Sequence, residues 1–252
     1  MRSFDAIIFD LGGTLIYFDS NWSDVLQQAD HALYDSLYMA GIRLPKDSFL
    51  SQFRRQIDEY YWQRETEFIE YTTLYVLRII LAEWGYPDAS DSILRPALAA
   101  MYQITQECWQ IEQDALPTLT ALKEAGYQLG IISNASDDAD VQALVDKVRI
   151  RPFFDFVLTS ASLGVRKPNP KIFQAGLNHW VVPANRALMV GDTLGADILG
   201  AQLSGMAGIW ITRRADTPAN RAHADTIYPD ARITTLVELP GLLENFDHRA
   251  ID

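Results

Sequence analysis

Five short runs of apolar residues constrain this chain more than any other feature. They are AIIF (6–9), LGIIS (129–133), FVLT (156–159), ALMVG (187–191) and GIWIT (208–212). None alternates polar with apolar residues, so none has a face suited to water. Strand-length runs of this kind belong to parallel sheets covered by helices on both sides. Helical patterns separate the runs from about residue 113 onward. TLTALKEAG stops at Gly126, a residue type that readily takes the left-handed turn ending a helix, and PKIFQAGLNHW and LGADILGAQLSG repeat the rhythm. This β-α-β-α order predicts an open α/β sheet with helices on both sides. RPFFDF (151–156) reads as a helix-to-strand connection, and TRRADTPANRAHADT (212–226) as a solvated loop.

More than a hundred residues separate the first run from the second. Between 17 and 112 the periodicity is helical nearly throughout. Val25, Ala29, Leu33 and Leu37 share one face, with Gly41 as a stop. Phe49, Phe53, Ile57 and Tyr60 form a second stripe, and Leu74, Leu77, Leu81 and Trp84 a third ending at Gly85. Ile93, Ala97, Met101 and Cys108 suggest a fourth. Four amphipathic helices in sequence predict a small bundle. The expected organisation is an α/β core of residues 1–16 and 113–252, interrupted after its first strand by a helical domain of residues 17–112. The aromatic residues of the insert (Trp22, Tyr34, Tyr38, Tyr60, Tyr61, Trp62 and Tyr71) are expected mainly in its core. Phe18, Asp19 and Trp22 lie where the chain leaves the sheet and are expected nearest a lid over the site.

Charge narrows the classes of partner. The formal net charge is −12 and the pI about 4.7, which argues against nucleic acid and against an anionic membrane surface. No segment has the ~18 uninterrupted apolar residues of a membrane span. The N-terminal MRSFDAIIFD meets charge too early for a signal peptide. The single cysteine, Cys108, excludes an intrachain disulfide and is expected to pack in the core. A cytoplasmic protein is expected. The histidines 31, 179, 223 and 248 show no metal-ligand spacing and are expected in surface or core roles.

Open α/β sheets bind ligands beyond the carboxyl ends of their strands. Asp10 follows the first run, Ser133 and Asn134 the second, and Asp192 the fourth, with Asp197 five residues on. Lys167 lies in GVRKPNPKIF, just after the third. In one sheet these groups would converge at one edge. Carboxylates that close repel unless a cation lies among them, and Mg²⁺ suits an all-oxygen site. Asp10 and Asp192 are expected as direct ligands, and Asp197 as a ligand or a support behind them. Lys167 would neutralise a phosphate, and Ser133 would hydrogen-bond one of its oxygens. This set suits attack by Asp10 on phosphorus. Gly12, Gly13 and Thr14 would bring backbone N–H groups to the transferred group, and the Gly12 carbonyl could reach the metal. Asn134 is expected to cap the following helix or touch the phosphate. Arg213 and Arg214 are further candidates for an anionic substrate.

Taken in order, these residues resemble the motifs of the haloacid dehalogenase-like (HAD) hydrolase superfamily. Asp10-Leu11-Gly12-Gly13-Thr14 matches the first motif, Ser133 the second, Lys167 the third, and Gly191, Asp192 and Asp197 the fourth. The resemblance spans the chain. It implies a Rossmann-like core with a helical cap and a Mg²⁺-dependent phosphatase acting on a small phosphorylated metabolite through an aspartyl-phosphate. One position departs: Gly12 stands where the family's phosphatases carry an acid/base Asp. Three readings follow. The first is a phosphatase with a good leaving group or a substitute acid, such as Asp19 or a cap residue. The second is a 2-haloacid dehalogenase, whose halide needs no proton. The third is a weakly catalytic phosphate binder. Retention of Asp192 and Asp197 favours the phosphatase. The sequence specifies neither the individual substrate nor an oligomeric state.

Overall fold

The computed structural model describes residues 3–246; His248 lies outside them. In chain order the strands are β1 (Ala6–Phe9), β2 (Ile16–Phe18), β3 (Trp109–Ile111), β4 (Gln128–Ser133), β5 (Phe156–Thr159), β6 (Ala187–Gly191), β7 (Ala207–Ile211) and β8 (Ala231–Ile233). The helices are α1 (Trp22–Met39), α2 (Lys46–Glu67), α3 (Thr73–Glu83), α4 (Asp91–Glu107), α5 (Ala115–Glu124), α6 (Asp138–Lys147), α7 (Ser160–Leu163), α8 (Pro170–Leu177), α9 (Leu199–Leu203), α10 (Pro218–His223) and α11 (Glu238–Glu244).

Six strands form one parallel sheet in the order β5-β4-β1-β6-β7-β8. Strand β1 sits inside it, with Phe9 level with Ile131 of β4 and Val190 of β6. All four β1 residues are fully buried, as an uninterrupted apolar run requires. Alternate residues feed two layers. Ile7 and Phe9 pack with Leu119 of α5, Val141 of α6 and Leu239 of α11. Ala6 and Ile8 pack with Ile172 and Phe173 of α8 and Ala201 of α9. The chain winds outward from β1 through β4 to β5, then returns to β6 and winds the other way. The reversal falls between β1 and β6, where open sheets place their ligands.

Helices α1–α4 enclose a separate apolar cluster containing Leu33, Leu37, Phe49, Phe53, Leu77, Ile80 and Leu98. A two-stranded antiparallel ribbon joins them to the sheet, pairing Ile16 with Ile111 and Phe18 with Trp109. The ribbon and β8 were not expected from sequence. Each is three residues long and has no periodicity to read.

Other details also differ from expectation. The buried stripe of α4 is Leu94, Ala97, Leu98, Met101 and Thr105, while Cys108 ends the helix as its half-buried C-cap. Trp22, Tyr38 and Trp62 are exposed rather than in the bundle core. The loop expected to be solvated contains α10, whose Asn220 is buried. Among the described residues no helix is long and apolar enough to cross a membrane.

Candidate active site

Asp10 is the first residue beyond β1, and its N–H donates to Val190 O at 2.9 Å, carrying the sheet ladder one step further. Its Oδ1 accepts from Lys167 Nζ at 2.6 Å. The same ammonium donates to Ile132 O at 2.7 Å and lies 2.7 Å from Asp197 Oδ1. Two of its contacts are thus hydrogen bonds, and the third is an ion pair. Asn134 positions this lysine, correcting the expectation that it caps a helix. Its Nδ2 donates to Lys167 O at 3.0 Å, and its Oδ1 accepts from Lys167 N at 2.8 Å.

Asp197 lies in a wide, π-type turn (Leu194–Ile198), and its Oδ2 accepts from Thr193 N at 2.9 Å. Asp192 is fixed through its main chain. Its carbonyl accepts from Trp210 Nε1 and from Asn220 Nδ2, each at 2.8 Å. Asn220 also receives Leu194 N–H at 2.8 Å, so one buried amide holds the Asp192–Leu194 segment that leads into this turn. Nothing in the sequence around Asn220 marks it, because its partners are remote and main-chain.

Carboxylate oxygens of Asp10, Asp192 and Asp197 lie within 4.8 Å of one another. Two glycines permit this crowding. A Cβ on Gly13, at φ +78°, would stand 2.4 Å from Asp192 Oδ2, and one on Gly191 would stand 2.3 Å from Asp197 Cγ.

These groups open into a cavity of about 710 Å³ between sheet edge and helical insert. Asp10, Gly12, Ser133, Asn134, Lys167, Asp192 and Asp197 line it, as does His223, for which a surface or core role was expected. Arg54, Tyr61, Arg64, Met101 and Tyr102 line the insert side. Gly13 and Thr14 do not line it, and the Thr14 side chain is fully buried with its hydroxyl unpaired. Nor do Asp19, which is exposed, or Arg213 and Arg214. Arg213 pairs with Glu112 and Asp114, and Arg214 pairs with Glu112 over the ring of Tyr17.

A family model for haloacid dehalogenase-like hydrolases matches residues 4–205. The chain belongs to this family. The HAD-like hydrolase is 28% identical over 245 residues to glyceraldehyde 3-phosphate phosphatase of Pyrococcus furiosus, covering 97% of this chain and 93% of that protein. It is 35% identical over 130 residues to pyrimidine 5'-nucleotidase YjjG of Escherichia coli, covering 51% of this chain and 55% of that one. Among solved structures it resembles a 2-haloacid dehalogenase from Pseudomonas syringae, with TM-score 0.66, 27% identity, and coverage of 97% and 100%. It also resembles a HAD phosphatase from Thermococcus onnurineus, with TM-score 0.62, 25% identity, and coverage of 95% and 97%.

Electrostatics in the hydrolase reflect three acids sharing one ammonium. Burial raises the Asp10 carboxyl to about 6; Lys167 opposes that rise and Asp197 adds to it. Burial, then the charges of Asp10 and Asp197, lift Asp192 to about 8. For Lys167 burial disfavours the charge, but Asp10 and Asp197 outweigh it and hold the ammonium above its ordinary value. Farther along the cavity, burial raises Asp140 to about 7, moderated by a 2.8 Å hydrogen bond from Gln106.

Proposed function

We propose that this hydrolase is a Mg²⁺-dependent phosphatase acting in the cytoplasm on a small phosphorylated metabolite, with Asp10 as nucleophile. The observation carrying this reading is the convergence of Asp10, Lys167, Asp192 and Asp197 at one sheet edge, with three carboxylates within 4.8 Å. The donor set fits a hard divalent cation: it is all oxygen and, with all three acids ionised, carries two negative charges beyond what Lys167 neutralises. Asp10, Asp192 and the Gly12 carbonyl would hold Mg²⁺. Asp197, whose two oxygens already meet Lys167 and Thr193 N–H, would complete the negative set behind them. When bound, the ion supplies charge neutralisation at the phosphoryl oxygens.

The chain's own groups perform the transfer. Lys167 holds Asp10 Oδ1, which orients the carboxylate and leaves Oδ2 for attack on phosphorus. The bond from phosphorus to the leaving oxygen breaks as the Oδ2–P bond forms. Ser133, on the cavity wall, would donate to a non-bridging oxygen. Water then attacks phosphorus, releases phosphate and restores the Asp10 carboxylate. Helices α1–α4 would act as a cap, closing the cavity from the side opposite the sheet. Relatives named as phosphatases of glyceraldehyde 3-phosphate support a small phosphate ester as substrate.

A 2-haloacid dehalogenase remains the second reading, favoured by Gly12 and by the likeness to the Pseudomonas syringae enzyme. Against it stands the acid cluster, which displacement of a halide does not need. Phosphate release from an activated aryl phosphate, with Mg²⁺ or with chelator, tests the proposal for wild type and Asp10→Asn. Release that depends on both Mg²⁺ and Asp10 is expected. Full activity in Asp10→Asn, or halide release from 2-haloacids without phosphate release, would overturn it.

A further inference from the structure

The helical insert lends the cavity an ion pair as well as apolar side chains. Trp22, Leu26 and Asp30 of α1 line it at helical spacing, and so do Arg54, Ile57 and Tyr61 of α2. Asp30 and Arg54 pair between the two helices: Nε donates to Oδ2 at 3.0 Å and Nη2 to Oδ1 at 2.5 Å. The Asp30 side chain is 9% exposed and that of Arg54 28%. Burial raises the Asp30 carboxyl above its ordinary value, and Arg54 opposes the rise. Three other ion pairs of the insert, Lys46–Asp35, Arg55–Glu59 and Arg78–Asp91, lie on its outside. Their acids are each more than half exposed, and none of these residues lines the cavity. A buried ion pair adds little net stability over apolar residues of the same volume, so stability alone does not call for one on this wall.

We propose that Asp30 and Arg54 are specificity-determining residues of this site and read hydroxyl groups on the carbon skeleton of the leaving group. The inference rests on the phosphatase reading above. As a pair the two residues are neutral, so they favour neither an anionic nor a cationic group. Their bidentate contact leaves a second lone pair on each Asp30 oxygen and further N–H groups on the guanidinium. A hydroxyl both donates and accepts, so hydroxyls on neighbouring carbons suit an acceptor standing beside a donor.

Leu26, Ile57 and Met101 share this wall and suit the C–H surface between such hydroxyls. The cavity of about 710 Å³ equals roughly two dozen waters at ~30 Å³ each, well beyond what a phosphate group alone occupies. A leaving group without hydroxyls would take water from the pair and return no hydrogen bond, and a site of this kind discriminates against it.

The test measures kcat and KM for glycerol 3-phosphate and for propyl phosphate, which has the same carbon chain without the hydroxyls. It compares wild type, Arg54→Lys, Asp30→Asn, Arg54→Met with Asp30→Leu, and, as a control on the insert's outside, Lys46→Gln with Asp35→Asn. Wild type is expected to prefer the glycerol ester in kcat/KM by roughly 10- to 100-fold, the worth of a hydrogen bond to a charged group. The apolar double variant removes both charges together and should abolish that preference, chiefly by raising KM for the glycerol ester. Asp30→Asn keeps the shape, and the same loss is expected there should the double variant fail to fold. Arg54→Lys keeps the charge without the planar fork and should retain part of the preference. The control pair should retain all of it. A wild type indifferent to the hydroxyls would overturn the proposal. So would a folded double variant, or Asp30→Asn, with the full wild-type preference, because the pair would then only link α1 to α2. Failure of the phosphatase reading looks different: wild type would release phosphate from neither ester nor from an activated aryl phosphate, and the proposal would fall with it.

Discussion

Replacing Glu70 by Gln should loosen the helical insert from the sheet by several kcal/mol. The segment between α2 and α3 is stitched to the core by main-chain bonds: Glu70 N to Gly164 O at 3.2 Å, Arg166 N to Phe68 O at 3.2 Å and Thr73 N to Ser136 O at 2.9 Å. Under that stitching lies the Glu70 carboxylate, with 0% side-chain exposure. Its Oε2 accepts from Arg166 Nη1 at 3.0 Å and Ser160 Oγ at 2.8 Å. Its Oε1 accepts from Tyr60 OH at 3.0 Å and lies 3.7 Å from Arg64 Nη1. Two guanidinium groups thus share one buried anion. Glutamine keeps the shape but removes the charge, which for a buried pair costs about 3–5 kcal/mol. For a chain this long that corresponds to a melting temperature lower by roughly 6–20 °C. The assay is thermal and urea unfolding followed by tryptophan fluorescence, beside Glu70→Leu with Arg166→Met. The apolar pair should recover most of the loss, because it removes the buried carboxylate together with the more buried of its two guanidinium partners. A Glu70→Gln cost below about 1 kcal/mol, or a double variant as unstable as the single, would refute the reasoning.

Gly13→Ala puts a Cβ into Asp192 at φ +78°, so melting should fall by roughly 2–8 °C from the left-handed strain of about 1–2 kcal/mol. Calorimetric Mg²⁺ affinity should fall with it, and unchanged affinity would contradict the cradle. Mg²⁺ itself should raise the melting temperature of wild type, by the equivalent of about 2.7 kcal/mol at a hundredfold excess over Kd, and chelator should reverse this; a melt indifferent to both would count against a metal site. Asp140, raised to about 7 by burial, binds more protons folded than unfolded between about pH 4 and 7, so its contribution to stability declines as pH rises through that window. Asp140→Asn should therefore be relatively more stable at pH 8 than at pH 4 when compared with wild type. A difference independent of pH would dismiss the shift.

The sheet was legible because burial on both faces leaves no room for polar residues within a strand. Five apolar runs coincide with β1, β4, β5, β6 and β7, to within a residue at most ends. The convergence at the sheet edge was legible for a related reason: its charged groups stand just beyond strand ends or on the loops that follow them, so sequence order and topology together place them. What escaped the sequence depends on remote partners. Trp109 reaches Gly12 only because β3 returns beside β2 after the whole bundle. Asn220 acts on the carbonyl of Asp192 from another helix, and Glu70 reaches Arg166 across the joint between insert and core. No local period encodes any of these contacts.

The acid cluster argues against a purely structural role for this edge. Charges no more than 4.8 Å apart repel by at least about 3.5 kcal/mol per pair at an effective dielectric near 20, and Lys167 offsets only part of that among three carboxylates. Burial alone would favour apolar side chains at all four positions. The backbone instead makes room for the crowding, with glycine at both places where a Cβ would push an acid away. Asn134 meanwhile holds the main chain of the one ammonium that the acids share. An edge built to tolerate this repulsion would be relieved by a ligand that brings positive charge. On the proposed function, neutralised carboxylates would let a phosphate approach Asp10, whose Oδ2 is not held by Lys167. The same reasoning bears on Gly12, where a Cβ would lie 3.3 Å from Trp109 Cη2: a fourth carboxylate there would add repulsion to a cluster already short of cations.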